Sequence, residues 1–453
     1  MGWLTLLPAV VAITLALWKR EVILALFAAL FTAELLILGG NPAQAAAGTL
    51  DRLLATLGDS GSAKILMFSL LMGALLKLLR DSGGVNGFVR WLTQAGLTKT
   101  PRQASLLASG LGLGIFIESN LSVLTAGIVS QKLFDKFNMS RLRLAYLIDA
   151  TCAPGRVTIP LNAWGAYVIG LVSVYNLPNP TATLVRSIPL NFYALLTLGL
   201  VFFTAISGKV FGPLKTLEAE EMKNRPPAAE LEDSEGKARF MVIPLVTLIG
   251  GILGFMVLTG KGDIMAGSGA TSVLWATCSA LFVMYLLLRG HGLFRHKELV
   301  KKGFAGMADL LPLVTIVLFA MSLGAAMKAL GTGSFVASLL GDTLPAYLIC
   351  PFVFLAGALI SFTTGTSWGT FAIMMPLAMP LGMHVGLPPE LVLGAVLGGG
   401  VFGDGVSPIS DTTTVSSLAA GCDMLDHVRT QLPYALTAGT GAFIAYLLAG
   451  LMV

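Results

Sequence analysis

Apolar runs close to the thickness of a bilayer recur from one end of this chain to the other. About 20 consecutive apolar residues cross the hydrocarbon core as a helix. Helices are required there because lipid offers no partner to a bare N–H or C=O. Runs of this kind stand near 3–18, 21–39, 63–80, 141–170, 184–208, 240–259, 271–288, 308–328, 390–419 and 432–451. Two further segments, 103–132 and 346–383, are broken midway by Gly, Ser and Thr. Of the 453 residues, 55% are hydrophobic and 12% charged, against about 25% charged in soluble chains. The expectation is an all-α polytopic membrane protein of about ten spanning helices. The run from Leu4 to Leu17 reads as the first span. It is not read as a signal peptide, because Lys19 and Arg20 follow it instead of preceding it.

Several function classes are excluded at this level. The net charge is +5, but the basic residues are scattered over loops, so no nucleic-acid partner is expected. Cys152, Cys278, Cys350 and Cys422 lie far apart and read as small buried hydrophobes. His291, His296, His384 and His427 fall in or near expected loops, and no HExxH pattern occurs. No Walker A loop and no nucleophile–base constellation is present, so neither an enzyme nor a resident cofactor is expected.

One stretch is strongly polar, Lys209 to Arg239, and it divides the chain nearly in half. Its Pro, Glu and Lys content is that of a solvated linker. Lys and Arg accumulate on the cytoplasmic side of membrane proteins. With the Lys19/Arg20 turn inside, most of the 29 Lys and Arg also fall inside, the linker included. Arg52, Lys64, Arg186, Lys261 and Lys328 fall outside, and Lys77 and Arg156 at membrane depth. Segments 103–132 and 346–383 each begin and end on one side, so both read as re-entrant hairpins. Both termini come out on the non-cytoplasmic side.

The first half then enters from outside and the second from inside. MGALLKLLRDSGGVNGFVRWL (72–92) aligns weakly with LGAAMKALGTGSFVASLL (323–340), matching Lys77 with Lys328. Each is followed by a broken segment and then by a broken helix. The reading is two inverted repeats, 1–208 and 240–453, joined by the linker 209–239. Paired broken helices in inverted repeats mark secondary transporters, with the site near the midplane.

Ionisable groups at membrane depth are costly and are functional candidates by default. The richest stretch is GGGVFGDGVSPISDTTTVSS (398–417), where glycines and Pro408 weaken the helix. Asp404, Ser407, Asp411 and Thr412 offer the hard oxygen ligands that suit Na⁺ or a proton. An Asp there can also simply cap the second half-helix. The corresponding first-half stretch, LIDATCAPGRVTIPLNAWGAY (147–167), holds Asp149, Arg156 and Asn162. A buried Arg156 needs Asp149, Glu118 or an anionic substrate. The hairpin tips add Glu118, Ser119 and Asn120 in the first half and Thr363, Thr366 and Ser367 in the second. Glu34, Lys77 and Lys328 are weaker candidates, and both lysines can snorkel from helix ends.

GDGVSPISDTT (403–413), GCDMLDHVRTQLPYAL (421–436) and TTGTSWGTFAIMMP (363–376) resemble the signature segments of the NhaC-type Na⁺/H⁺ antiporter family, within the ion transporter superfamily. The resemblance implies Na⁺/H⁺ exchange or a related Na⁺-coupled antiport. It also implies an elevator-like arrangement of a scaffold and a moving domain. It carries over to Asp404, Ser407, Asp411 and Thr412, with Asp404 and Asp411 as tentative Na⁺ ligands. Where typical members repeat a GDxxSPxSDTT-like segment in the first half, this chain has DATCAPGRVTIP, with a base at Arg156. An arginine there repels Na⁺ and favours a carboxylate-bearing solute.

The leading expectation is a Na⁺/H⁺ antiporter of the bacterial inner membrane. Na⁺ and H⁺ are its coupling ions and the lipid bilayer its surroundings. The alternative is Na⁺- or H⁺-coupled transport of a small organic anion or amino acid. A channel or a non-transporting scaffold is a third class, against which the broken helices and buried acids argue. The sequence leaves the oligomeric state open, a homodimer included.

Overall fold

Helix ends fall where caps, glycine and proline put them. In the computed structural model the described residues are 2–19, 21–84, 87–88, 91, 98–115, 119–175, 177–221, 236–263, 267–332, 335 and 345–453. Among them there is helix and connecting turn and no strand. The first half begins with α1 (Leu7–Lys19), α2 (Val22–Ile37), α3 (Pro42–Gly58) and α4 (Ser60–Asp81). Then come α5 (Pro101–Gly114), α6 (Ser119–Lys136), α7 (Arg141–Thr158), α8 (Ala163–Ser173), α9 (Pro180–Ser187) and α10 (Phe192–Ser207). α11 (Pro213–Glu221) lies in the polar linker. The second half holds α12 (Arg239–Thr259), α13 (Gly269–Gly290), α14 (His296–Leu330), α15 (Ala346–Thr364), α16 (Ser367–His384), α17 (Pro389–Val406), α18 (Asp411–Ala420) and α19 (Met424–Leu451).

Seven of the described helices are long and apolar enough to cross a membrane, or up to nine when each of two bent pairs is one span. The chain is therefore a multi-pass helical membrane protein. Two of the expected spans are broken within the membrane, as their glycines and prolines lead one to expect. The expected span 141–170 is the two helices α7 and α8, parted at residues 159–162, and 390–419 is α17 and α18, parted at 407–410. In both places proline intervenes, Pro160 and Pro408, and removes an N–H the helix would need.

Other boundaries also move. The expected loop Asn41–Ser62 contains α3, which turns back from α2 at 117°. Asn41 caps it through Ala43 N and Gln44 N, with Pro42 at the first helical position. α3 buries Ala45, Thr49 and Thr56 while Leu50 and Leu54 stay exposed. Glu34 of α2 is buried and accepts a 2.7 Å hydrogen bond from Arg52 Nε of α3, which gives that carboxylate a structural partner. α14 starts twelve residues before its expected start, at His296 instead of 308, and α19 starts at Met424 instead of 432.

The two halves show the same succession. A long helix (α4, α14) precedes a pair of helices (α5–α6, α15–α16) and then a broken helix (α7–α8, α17–α18). Within each pair the two helices pack on one another. Ser122 Oγ of α6 donates to Gly112 O of α5 at 2.8 Å, so the first pair doubles back on itself. Gly365, at φ +67°, ends α15 in the left-handed region and begins the reversal into α16. α4 and α14 meet at Gly73 and Gly306, where either Cβ would collide with the opposite backbone. Small residues allow such close approach between membrane helices.

Candidate functional site

Asp404 stands in the last turn of α17, 3% exposed. The helix ends there because Ser407 precedes a proline and is held extended, at ψ 126°. Two donors from the tip of α15–α16 reach the carboxylate. Ser367 donates its backbone N–H to Asp404 Oδ2 at 3.2 Å and its hydroxyl to the same oxygen. Ser367 is the first residue of α16, so Asp404 meets one of the unpaired N–H groups at a helix N-terminus. Ser410 donates its hydroxyl to Asp404 Oδ1 at 2.7 Å. Ser410 occupies the N-cap of α18 yet makes no side-chain capping bond. Its oxygen also lies 3.0 Å from Thr412 Oγ1. Among the described residues no lysine, arginine or histidine is ion-paired with Asp404.

The hairpin tip is fastened to the break on both sides of this carboxylate. Ser361 donates to Gly400 O at 2.6 Å, and Ser407 donates to Phe362 O at 2.7 Å. The tip also touches the first-half broken helix. Tyr167 of α8 donates its hydroxyl to Trp368 O at 2.8 Å, and Trp164 packs on Trp368 with ring centroids 5.1 Å apart.

A second buried carboxylate lies on α7. Asp149, 4% exposed, receives Ser416 Oγ at 3.0 Å on Oδ1. On Oδ2 it receives Gln431 Nε2 at 2.7 Å and faces His427 Nε2 at 3.3 Å. Gln431 Nε2 also donates to Gly405 O, the peptide next to Asp404, at 2.5 Å. A small cavity bordered by Asp149, Gly405, Thr412 and Gln431 leaves about 20 Å³ open to the centre of a water molecule. Seven residues along α7, Arg156 is wholly buried and donates Nη1 to Cys152 Sγ at 2.7 Å. Cys152 in turn contacts Ser119 O, at the start of α6, at 3.9 Å.

A family model described as the Na⁺/H⁺ antiporter family matches residues 167–451. The chain belongs to the Na⁺/H⁺ antiporter family. An uncharacterized protein of Haemophilus influenzae is 31% identical over 98% of this chain and 90% of its own length. The malate-2H(+)/Na(+)-lactate antiporter of Bacillus subtilis is 33% identical over 38% of each chain. The YdaH transporter of Alcanivorax borkumensis shares the fold, with a TM-score of 0.62 at 17% identity over 90% of this chain and 89% of that one.

Within this antiporter-family chain the candidate residues fall into distinct groups. Asp404, Ser407 and Ser367 come together at the tip of α15–α16. Thr412, 5% exposed, joins them through Ser410. Asp411, exposed at the first position of α18, accepts its neighbour's N–H, Thr412 N, at 2.8 Å and lies within electrostatic reach of Asp404. Thr363 turns its hydroxyl back to Leu359 O and Ile360 O at 2.9 Å each, as membrane hydroxyls commonly do. Thr366 holds the N-cap of α16 with no side-chain capping bond. Asn162 caps α8 through Gly165 N and donates to Arg156 O and Ile159 O, bridging the break after α7. Glu118 lies outside the described residues, as does the side chain of Asn120. His427 and Gln431 were not among the candidates. They stand four residues apart on one face of α19, and that spacing of two polar groups was the available signal.

Proposed function

We propose that this protein is a secondary antiporter of the bacterial inner membrane that exchanges Na⁺ for H⁺ at Asp404. The observation that carries the reading is a buried carboxylate, held among the described residues by hydroxyl and N–H donors, where a hairpin tip meets a broken helix. Such a carboxylate can hold one proton or one Na⁺. In the proton-free form Ser367 and Ser410 can turn their hydrogens away and present oxygen to the cation, together with the carbonyls freed at the break. Competition for one site couples the two ions without any further device.

The test is transport by purified protein in proteoliposomes carrying a pH dye. Na⁺, Li⁺, K⁺ and a panel of organic acids are added in turn. Na⁺-driven proton movement with no organic solute is the expected result, and its absence overturns the reading. Asp404→Asn is expected to abolish that movement at near-normal membrane levels. Wild-type rates in this variant would remove Asp404 from the site, and a variant missing from the membrane would favour a capping role.

A second reading is Na⁺- or H⁺-coupled transport of a small organic anion or amino acid. It is supported by Arg156, a base with no exposed surface on the first-half broken helix. The Bacillus subtilis relative, named for malate and lactate, points the same way.

A further inference from the structure

The cluster around Asp149 is a built polar site inside the helical core. Ser416, His427 and Gln431 reach the carboxylate from α18 and α19, and none of the four residues is more than 4% exposed. When Asp149 is ionised its oxygens only accept hydrogen bonds, so the Nε2 facing it then carries the hydrogen and Nδ1 of His427 is the basic nitrogen. That Nδ1 is fully buried and has no hydrogen-bond partner among the described residues. Gln431 Oε1 is in the same position. Most buried polar atoms are satisfied, so two open acceptors beside one carboxylate leave room for a proton or a water to be taken up there. The existing bonds also leave the carboxylate short of compensation. With Asp149 ionised, two neutral donors and a 3.3 Å contact to the imidazole surround a full negative charge. A proton on Nδ1 converts that contact into an ion pair and brings the cluster to neutrality.

We propose that Asp149 and His427 form a proton-binding site distinct from the Asp404 cradle, with the proton taken up on His427 Nδ1. Gln431 ties this site to Asp404, since one amide group donates both to Asp149 Oδ2 and to Gly405 O. Charge and bonding at Asp149 are thereby transmitted to the peptide that follows the ion-binding carboxylate. This coupling rests on the Na⁺/H⁺ reading above, whereas the proton site itself does not.

The other titratable groups around the pair are accounted for. Tyr146 of α7, Tyr193 of α10 and Tyr434 of α19 border the same cavity and are neutral in ordinary conditions. Arg141 and Arg143 at the start of α7 pair with Asp135 and Glu218. Glu221 of α11 accepts Ser140 Oγ and Arg141 N. On α19, Asp423 caps its own helix and Asp426 faces Arg429. Arg156, farther along α7, contacts Cys152. Asp404 is the nearest acid beyond the cluster in the bonded chain through Gln431.

Imidazole resonances report this directly. The chain has 4 histidines, so ring-¹⁵N-labelled protein in detergent gives few signals. The His427 signal is the one lost in His427→Gln. In wild type it is expected to move from a neutral to a charged position as the pH falls. In Asp149→Asn the curve is expected to be displaced, and in wild type Na⁺ should displace it as well. In Asp404→Asn the Na⁺ effect should be lost. A His427 ring that stays neutral throughout, or a curve unmoved by Asp149→Asn, overturns the proposal. A ring that titrates with Asp149 while the vesicle assay shows no Na⁺-driven proton movement upholds the proton site and removes the antiport reading. Should Asp149→Asn fail to fold, Asp149→Glu takes its place, and a His427 curve unmoved by that change likewise overturns the proposal.

Discussion

Ser410 sits where a serine normally caps a helix and instead turns its hydroxyl to Asp404. If that oxygen serves the ion, Ser410→Ala removes a bond to a charged group, worth about 1.5–3 kcal/mol, or roughly ten- to a hundredfold in apparent affinity. The Na⁺ concentration for half-maximal proton movement is expected to rise by that factor, with the unfolding temperature nearly unchanged. A lowered unfolding temperature with unaltered Na⁺ dependence would assign Ser410 to the helix. Arg156 separates the two functional readings in the same way. Arg156→Lys keeps a point charge but loses the planar fork that holds a carboxylate with two parallel bonds. As an internal counter-ion the position tolerates Lys and Na⁺-driven proton movement persists. As a substrate contact it does not, and half-saturation for an organic acid rises roughly ten- to a hundredfold. At this scale the sequence was partly legible. Asp404 and Ser407 could be picked out because glycine and proline flank them. The exposure of Asp411 beside the buried Asp404 could not, because the turn at 407–410 decides how far each acid is covered. Nor could the meeting of Asp149 with His427, which joins residues 278 apart in the chain.

The packing of α15 on α17 brings the hairpin tip to the break. Gly403 is a point of close approach: a Cβ there would collide with Ala358 O and stand 2.6 Å from Phe362 N. Gly403→Ala therefore forces the helices apart. Overpacking of this kind costs about 1–3 kcal/mol, and thermal unfolding in detergent is expected to show the loss. Because Ser361 and Ser407 fasten the same tip, transport should fall further than stability alone explains. A variant as stable as wild type would mean that the tip adjusts freely. Among the elements, long apolar runs were legible because the bilayer length and the helical rise leave few alternatives. α3 was missed because its apolar residues form one stripe, with Gln44, Asp51 and Arg52 interspersed, so no continuous run exists. α19 was begun late because its first turns carry Asp426, His427, Arg429 and Gln431. His427 and Gln431 face the buried Asp149 cluster, and Asp426 pairs with Arg429 at the exposed start of the helix.

For the whole molecule, the contacts between helices constrain which ends share a side. Arg143 pairs with Glu218 at 2.7 Å and Lys302 with Asp81 at 2.5 Å, and the charge count puts all four inside. Arg186 approaches Glu390 at 3.8 Å, Lys328 donates to Val174 O at 3.1 Å and Lys64 to Thr271 Oγ1 at 3.1 Å, and the same count puts these outside. A span wrongly added or dropped between any two partners would have set them on opposite faces. The pairs thus join ends that the charge count assigns to one side, as the inverted-repeat reading of 1–208 and 240–453 expects. They say nothing of which face is cytoplasmic. That step rests on the asymmetry of Lys and Arg alone. Lys215 of α11 and Lys261 after α12 are both exposed and lie at opposite ends of the count. With the native cysteines replaced by alanine, Lys261→Cys is expected to react with a membrane-impermeant thiol reagent in intact cells. Lys215→Cys is expected to react only after permeabilisation. The reverse pattern would turn the molecule over, termini and hairpins included, while keeping the two halves inverted to one another. Labelling of both positions from outside is incompatible with α12 as a single crossing, and with it the opposed orientation of the two halves would fall.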